Sequence, residues 1–374
     1  MRAFGGGGAG RGSGGVAPLW AVMWVVVLDS FGTATGWFVM FFVAEEVLGF
    51  GERENLGLGL LAGGVYTASA ALSGRLVSAI GRWRGLSLRG GLCVVVLLGA
   101  LSAALPAAFG AAGLWAFGVL YFASMGVLWP IVQAFLSGGR RGRDLRRASG
   151  VFNVCWSSSV VVFAYGVSPL VAGYSALIFW ALSAVHVLSL AGVWWFPREA
   201  GSAGAVGEGL EADRHHPGEG LARRMLLAFR LLNLFSYTLM AALSPVLPHL
   251  IARLGVEADW RTAVGGTALS SRLLAFVVFE RWHGWHAWVG TPMVGCGLLV
   301  VGFVASFFAW TLWVLVVGLF VMGVGTGMAY AGAIYFALHA DAGRVRAGGW
   351  HETVIGAGYT VGPLFGLLLV GLAG

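Results

Sequence analysis

Arg82-Trp83-Arg84-Gly85 recurs as Arg281-Trp282-His283-Gly284, an offset of 199 residues, in a chain that is apolar along nearly its whole length. The same offset pairs Gly91 with Gly290, Phe109 with Phe308, Gly126 with Gly325, Arg147 with Arg346 and Gly150 with Gly349. Glycine matches alone carry little weight in a chain with 61 glycines. The Arg and Trp matches carry more, because both Arg pairs fall in short loops at equivalent places between apolar stretches. Two copies of one multi-span unit is a common plan for secondary transporters, with a solute site where the copies meet. The repeat therefore predicts a protein that carries a solute across a membrane.

Composition supports a membrane chain. Of 374 residues, 58% are hydrophobic and 10% charged, with a mean hydropathy of +0.84. Soluble domains carry about 25% charged and about 45–50% apolar residues, so a soluble fold is excluded. All 23 basic residues are Arg; in so Gly- and Ala-rich a chain this reflects coding bias and carries no functional weight. The net charge of +7 would point to nucleic acid in a soluble protein. Here the arginines lie between apolar spans, where they set orientation, so no nucleic-acid partner is expected. Cys93, Cys155 and Cys296 stand singly in apolar segments and form no CxxC and no disulfide framework.

A helix needs about 20 apolar residues to cross a hydrocarbon core of roughly 30 Å, and backbone in lipid must satisfy its own hydrogen bonds. Eleven stretches qualify, beginning near Pro18, Leu56, Leu86, Ala111, Ala148, Tyr174, Met225, Thr262, Val289, Leu312 and Trp350. Arg75, Arg82, Arg84 and Arg89 follow the second, and five arginines from Arg140 to Arg147 follow the fourth. Arginines also follow the sixth, eighth and tenth, whereas Glu45, Glu46, Glu52 and Glu54 dominate the loop after the first. Arg-rich loops mark the cytoplasmic side, which places the N-terminus inside.

The expected organisation is an all-α integral membrane protein of two pseudo-symmetric bundles, six helices and then five. Residues 1–17 form a flexible cytoplasmic tail, 18–196 the first bundle, 197–222 a polar cytoplasmic linker, and 223–374 the second bundle. The sixth span begins near residue 174, so its copy would begin near 373, and the repeat as it stands lacks a twelfth helix. The expected location is a bacterial inner (plasma) membrane, as a monomer in contact with the lipid bilayer. No metal and no cofactor are expected: His215-His216 reads as solvated linker, and His283 and His286 as part of an interfacial loop with Trp282, Trp285 and Trp288.

Ionisable groups inside a membrane are expensive and commonly functional. Asp29 lies eleven residues after Pro18, about 16 Å deep at ~1.5 Å per residue. Arg272 lies at similar depth in the eighth span. Arg230 stands about a turn and a half beyond Arg223 and Arg224, within reach of the cytoplasmic surface. The sharp expectation is that Asp29 and Arg272 face a central cavity from opposite halves, Asp29 taking a proton or cationic group and Arg272 an anionic one; the plain alternative is an ion pair between the halves. Gln133, Asn153, Trp156, Asn233, Tyr237, Tyr330 and Tyr335 are polar groups able to complete a solute site. Asn153 stands opposite Glu352 at the offset of 199. With the last span starting near Trp350, Glu352 and His351 fall in its first turn, where helix N-terminal charge chemistry competes with a proton relay.

Six helices, a cytoplasmic linker and a second copy resemble the major facilitator superfamily, over nearly the whole chain. The loop after the second span, Gly74-Arg-Leu-Val-Ser-Ala-Ile-Gly81-Arg82-Trp-Arg84, carries the best local likeness. Gly74, Gly81, Arg82 and Arg84 fit the family's loop pattern, while Ser78 stands where the family usually has Asp. The resemblance implies that the glycines let helices two and eleven approach closely, and that the missing carboxylate alters the cytoplasmic latch. The fourth span lacks the Arg of the family's drug/proton antiporters, and Ala164 stands where a Gly-Pro signature would put Pro, which argues against a multidrug antiporter. Gly358, Gly362 and Gly366 form a stripe that reads as close helix packing.

No nucleotide-binding loop, HExxH or paired catalytic carboxylate is present, so neither ATP-driven transport nor enzymatic activity is expected. The expectation is a secondary transporter of a small solute, with protons as a candidate coupling partner. The competing readings are a degenerate, non-transporting scaffold and a membrane-embedded lipid-handling enzyme.

Overall fold

The computed structural model describes residues 15–201, 219–286, 288–340 and 345–373. The linker histidines His215 and His216 lie outside the described residues, as do the side chains of Arg82, Trp83, His283 and His286.

The chain folds as α1 (Leu19–Ala34), a π-helical segment (Thr35–Val39), α2 (Met40–Glu46), α3 (Glu52–Arg84), α4 (Leu88–Ala103), α5 (Leu105–Ser137), α6 (Gly142–Val167) and α7 (Val171–Val193). There follow α8 (Glu219–Leu243), α9 (Leu247–Arg253), α10 (Ala258–Gly265), α11 (Thr267–Arg281), α12 (Thr291–Phe307), α13 (Leu312–Ala340) and α14 (Val345–Ala373). Among the described residues there is no strand. Eight stretches of the described residues are long and apolar enough to cross a membrane, one of them the 52 residues of Gly142–Val193 that α6 and α7 share. Two further apolar helices, α4 and α12, have only 16 and 17 residues, about 24–26 Å at 1.5 Å per residue. These two short helices occupy equivalent places in the repeat.

Several boundaries differ from the sequence expectation. The fourth span starts at Leu105 instead of near Ala111, with a break at Gly110, whose φ of 56° suits glycine. The last helix is already formed at Val345, ahead of the expected Trp350, so it extends beyond the apolar stretch and carries Arg346. Residues 15–17 do not belong to a free tail: Gly201 N–H donates to Gly15 O at 3.1 Å, and Arg140 Nη2 to Ala17 O at 2.5 Å. Residues 198 and 199 are likewise held, since Arg198 O accepts from Arg89 N–H and Glu199 Oε1 from Leu88 N–H.

The packing follows the repeat. In the first half α3 packs on α5, α4 on α5 and α1 on α6; in the second, α11 packs on α13, α12 on α13 and α8 on α14. Across the halves, α3 packs on α14 and α6 on α11. The offset of 199 turns each of these contacts into its counterpart. Gly150 and Gly349, one of the matched pairs, both sit where the halves meet. A methyl at Gly150 would lie 1.7 Å from Glu280 Oε2 on α11, and one at Gly349 2.7 Å from Ser73 Oγ on α3. Gly358 and Gly362 of the stripe seat α14 against α8, where added methyls would meet Tyr237 Cβ and Ala241 Cβ at 2.6 Å.

The loop glycines behave differently from the family expectation. Gly74 has only Arg346 Cα, at 4.0 Å, across from it, and Gly81 faces Leu86 O of its own turn. Close approach of α3 and α14 comes instead from Gly63, whose methyl would lie 2.3 Å from Tyr359 O, and from Gly356 against Thr67. Ser78, in the place of the missing carboxylate, donates to Gly74 O at 2.7 Å, and Arg84 is exposed.

Candidate functional site

Helices that alternate in direction give the bundle two ends. One gathers the start of α1 and the α3–α4 and α5–α6 turns, with their arginines; the other gathers the α2–α3 turn and the α8–α11 region. Between them a cavity opens, lined from the first half by Thr33, Trp37, Tyr66, Trp129 and Trp156 and from the second by Tyr237, Arg272, Tyr330, Glu352 and Tyr359.

Aromatic rings form most of the wall. Trp37 stacks on Tyr359 of the other half with ring centroids 3.4 Å apart, and Tyr237 meets the same Tyr359 at 5.0 Å. Trp156 lies 5.1 Å from Tyr330. The π-helical segment presents Trp37 here, because the wider turn re-aims side chains in the middle of the first span.

Two charges stand in this wall. Glu352 is buried in α14 well beyond Val345, where the chain is already helical, so it lies past the first-turn position that helix N-terminal chemistry requires. Its Oε2 accepts from the Tyr66 hydroxyl at 2.6 Å and its Oε1 from the Gln133 amide, so α3 and α5 of one half grip a carboxylate of the other. Arg272 is 4% exposed and lies with its guanidinium carbon 4.6 Å from the Trp156 ring centroid. A cation–π contact contributes about 0.5–2 kcal/mol, whereas withdrawing a charge from water costs several kcal/mol. The ring alone therefore does not offset the burial.

Asp29 and Arg272, expected to share the cavity, do not meet. Asp29 is fully buried inside the first half, where its Oδ1 bonds His186 Nδ1 of α7, and His186 Nε2 lies 2.9 Å from the Tyr121 hydroxyl of α5. With Nδ1 donating to Asp29, Nε2 is left to accept from the Tyr121 hydroxyl. Gly32 makes the space: a methyl there would lie 1.6 Å from the Tyr121 oxygen. The second carboxylate oxygen of Asp29 has no partner. Sequence reasoning missed His186, although an ionisable ring inside an apolar span is itself a signal.

The other expected site residues scatter. Gln133 joins the cavity through Glu352. Asn153 lines a smaller chamber with Arg146, Phe276, Glu280 and Tyr335. Asn233 is buried in the second half with neither amide atom paired, and Arg230 is half-buried with its Nε sealed and unpartnered. Among the described residues no cluster of three or more metal-ligating side chains occurs.

The far end of the cavity carries a charge network the sequence reading did not assemble. Arg253 Nη2 lies 3.0 Å from Glu52 Oε1, and Arg261 Nη1 lies 3.5 Å from Glu45 and 3.8 Å from Glu46. Asn55 Nδ2 adds hydrogen bonds to Phe41 O and, across the halves, to Pro245 O at 3.2 Å.

No protein-family model and no curated protein matches the sequence. Solved structures do match. The human organic anion transporter MFSD10 (TETRAN) superposes with a TM-score of 0.64 at 12% identity, over 93% of this chain and 92% of that one. A bacterial homolog of the human lysosomal transporter Spinster, inward-facing and unoccupied, gives 0.64 at 15% identity, over 93% and 80% of the two chains. The nucleoside transporter NupG gives 0.63 at 10% identity, over 94% and 90%. At such identities the likeness speaks for the fold, and it agrees with the repeat in the packing and the apolar helices. The chain is an integral membrane protein with the major facilitator superfamily fold.

Proposed function

We propose that the protein is a secondary transporter that carries a small solute by alternating access, with residues 18–196 and 223–374 rocking about the central cavity and residues 197–222 joining them on the cytoplasmic side. One observation supports this reading: a cavity walled by both halves is flanked by inter-half contacts at each end. At the Arg-rich end α14 presses on α5, where a methyl at Gly348 would lie 3.0 Å from Pro130 Cα. At the other end stand the Arg253–Glu52 and Arg261–Glu45 pairs. A carrier that exposes its site to one side at a time has to break one set and keep the other.

Orientation and location form part of the same proposal: N-terminus in the cytoplasm of a bacterial inner membrane, acting as a monomer. Two buried carboxylates are available for proton coupling, Glu352 in the cavity wall and Asp29 beneath it. The structural neighbours named for an organic anion and for nucleosides leave the solute class open, so the cavity itself has to specify it.

Proteoliposome uptake across a panel of amino acids, sugars and organic acids, with and without an imposed pH gradient, tests the proposal. Saturable uptake of some solute is expected, and none across the panel would favour a non-transporting scaffold. Single cysteines replacing Arg143 and Glu52 test the orientation: only the second should react with an impermeant thiol reagent on intact cells.

A further inference from the structure

The guanidinium of Arg272 has five N–H donors and meets no protein acceptor. Its Nε is sealed without a partner. Its terminal nitrogens make no hydrogen bond, and no carboxylate lies within ion-pair distance, among the described residues. The same spot holds a second idle donor, because Trp156 Nε1 is buried without a partner while its ring lies under the guanidinium. The carboxylate that shares the cavity does not answer this need: Glu352 is engaged at both oxygens by Tyr66 and Gln133.

Natural proteins pair nearly every buried donor, and a buried charge left alone normally marks a place where a ligand supplies the counter-charge. Arg is also the residue suited to a planar two-oxygen anion, which it grips with two parallel hydrogen bonds. The wall also holds Trp37, Tyr66, Tyr237, Tyr330 and Tyr359, rings that accept a flat or apolar body and offer hydroxyls at its margin. A zwitterion fits less well, because Glu352 already has its donors.

We propose that Arg272, backed by Trp156, binds the anionic group of an organic monocarboxylate whose aromatic or apolar body lies among the cavity tyrosines. This deepens the transporter reading and rests on it for the role of the cavity. Binding itself requires neither vesicles nor gradients.

The test uses the purified full-length chain in lipid nanodiscs and three probes of one shape: 1-naphthoate, the neutral 1-naphthamide and cationic 1-naphthylmethylammonium. Calorimetric titration should show the carboxylate binding at least about tenfold tighter than the amide, the scale of a charge-assisted hydrogen bond. Arg272→Gln should abolish that preference, and Arg272→Lys should keep part of it. Without ligand, Arg272→Gln should melt no lower than the parent, since it removes an uncompensated charge; a purely structural arginine would give a clear drop. Equal binding of the amide, a preference that survives Arg272→Gln, or no binding of any aromatic or aliphatic monocarboxylate at millimolar concentration would overturn the proposal. Uptake of a neutral or cationic solute without carboxylate binding would sink this inference and leave the transporter standing. Carboxylate binding without flux of any solute would do the reverse.

Discussion

Asp29 and Arg272 are two charges of equal burial, 0% and 4% exposed, met by opposite local solutions. Asp29 lies within one half and receives a chain of groups, His186 and then Tyr121, that belongs to the same half. Arg272 lies where the halves meet and receives a ring and no acceptor. A pair formed inside one bundle survives any rearrangement between bundles, so it can serve the fold in every state of a carrier. A charge left open at the junction has no such permanent partner. The difference separates what holds a bundle together from what waits for something to arrive.

The sharpest way to break this comparison is to cut the Asp29 chain. Asp29→Ala should lower stability by about 3–5 kcal/mol, the usual cost of leaving one member of a buried pair alone, seen as a large fall in melting temperature and yield. The joint change Asp29→Leu, His186→Leu should recover much of it, and a double variant as unstable as Asp29→Ala would show that the pair is not the unit. Glu352 provides an intermediate case, paired like Asp29 but across the halves and facing the cavity. Glu352→Gln turns two charge-assisted bonds into neutral ones, a loss of about 1 kcal/mol each, so thermal unfolding should shift by less than for Asp29→Ala. Its larger effect should fall on pH-gradient-driven uptake; unchanged uptake would remove Glu352 from coupling.

Smaller effects belong to the far end. Arg253 is 62% exposed beside Glu52, so Arg253→Gln should change stability by no more than about 1 kcal/mol. It should nonetheless raise the reactivity of a cysteine placed at Ser244 in the cavity wall, and unchanged reactivity would mean that this pair latches nothing. The smallest effect concerns His249, on the short α9 near Glu45. Burial holds its imidazole below the ordinary range, with Glu45 opposing the shift. The folded chain therefore binds this proton less readily than the unfolded one. That contribution is complete above the ordinary imidazole range and declines as pH falls through it towards the folded value. His249→Gln should flatten that stretch of the stability–pH curve, and an unaltered slope would rule the group out.

The sequence disclosed the helices and their two-copy order because both leave one-dimensional traces, apolar runs and a fixed offset. Even the matched pair Gly150 and Gly349, weak on its own, marks contacts between the halves. Arg272 and Glu352 were legible as charges in apolar surroundings, and both line the cavity. Their partners were not legible, since Asp29 and His186 are 157 residues apart and Tyr66 and Glu352 are 286 apart, with no local spacing to join them. The charge network at the far end was half visible: Glu45, Glu46 and Glu52 stand together in the chain, but Arg253 and Arg261 reach them only after folding. Glu352 misled because its helix extends beyond the apolar run and is already formed at Val345, which puts the side chain past the first turn.

The π-helical turn at Thr35–Val39 has a kinematic consequence. Such a turn holds one surplus residue, and a surplus residue can change address along a helix without the helix melting. Each residue it passes turns about its own axis by roughly 100°, as a thread turns when its nut advances. Were the surplus to migrate one turn toward α1, Trp37 would rotate off Tyr359 while Leu19 and Glu46 kept their places. The first span thus contains a joint at which one cavity side chain can turn separately from the rocking of the two halves.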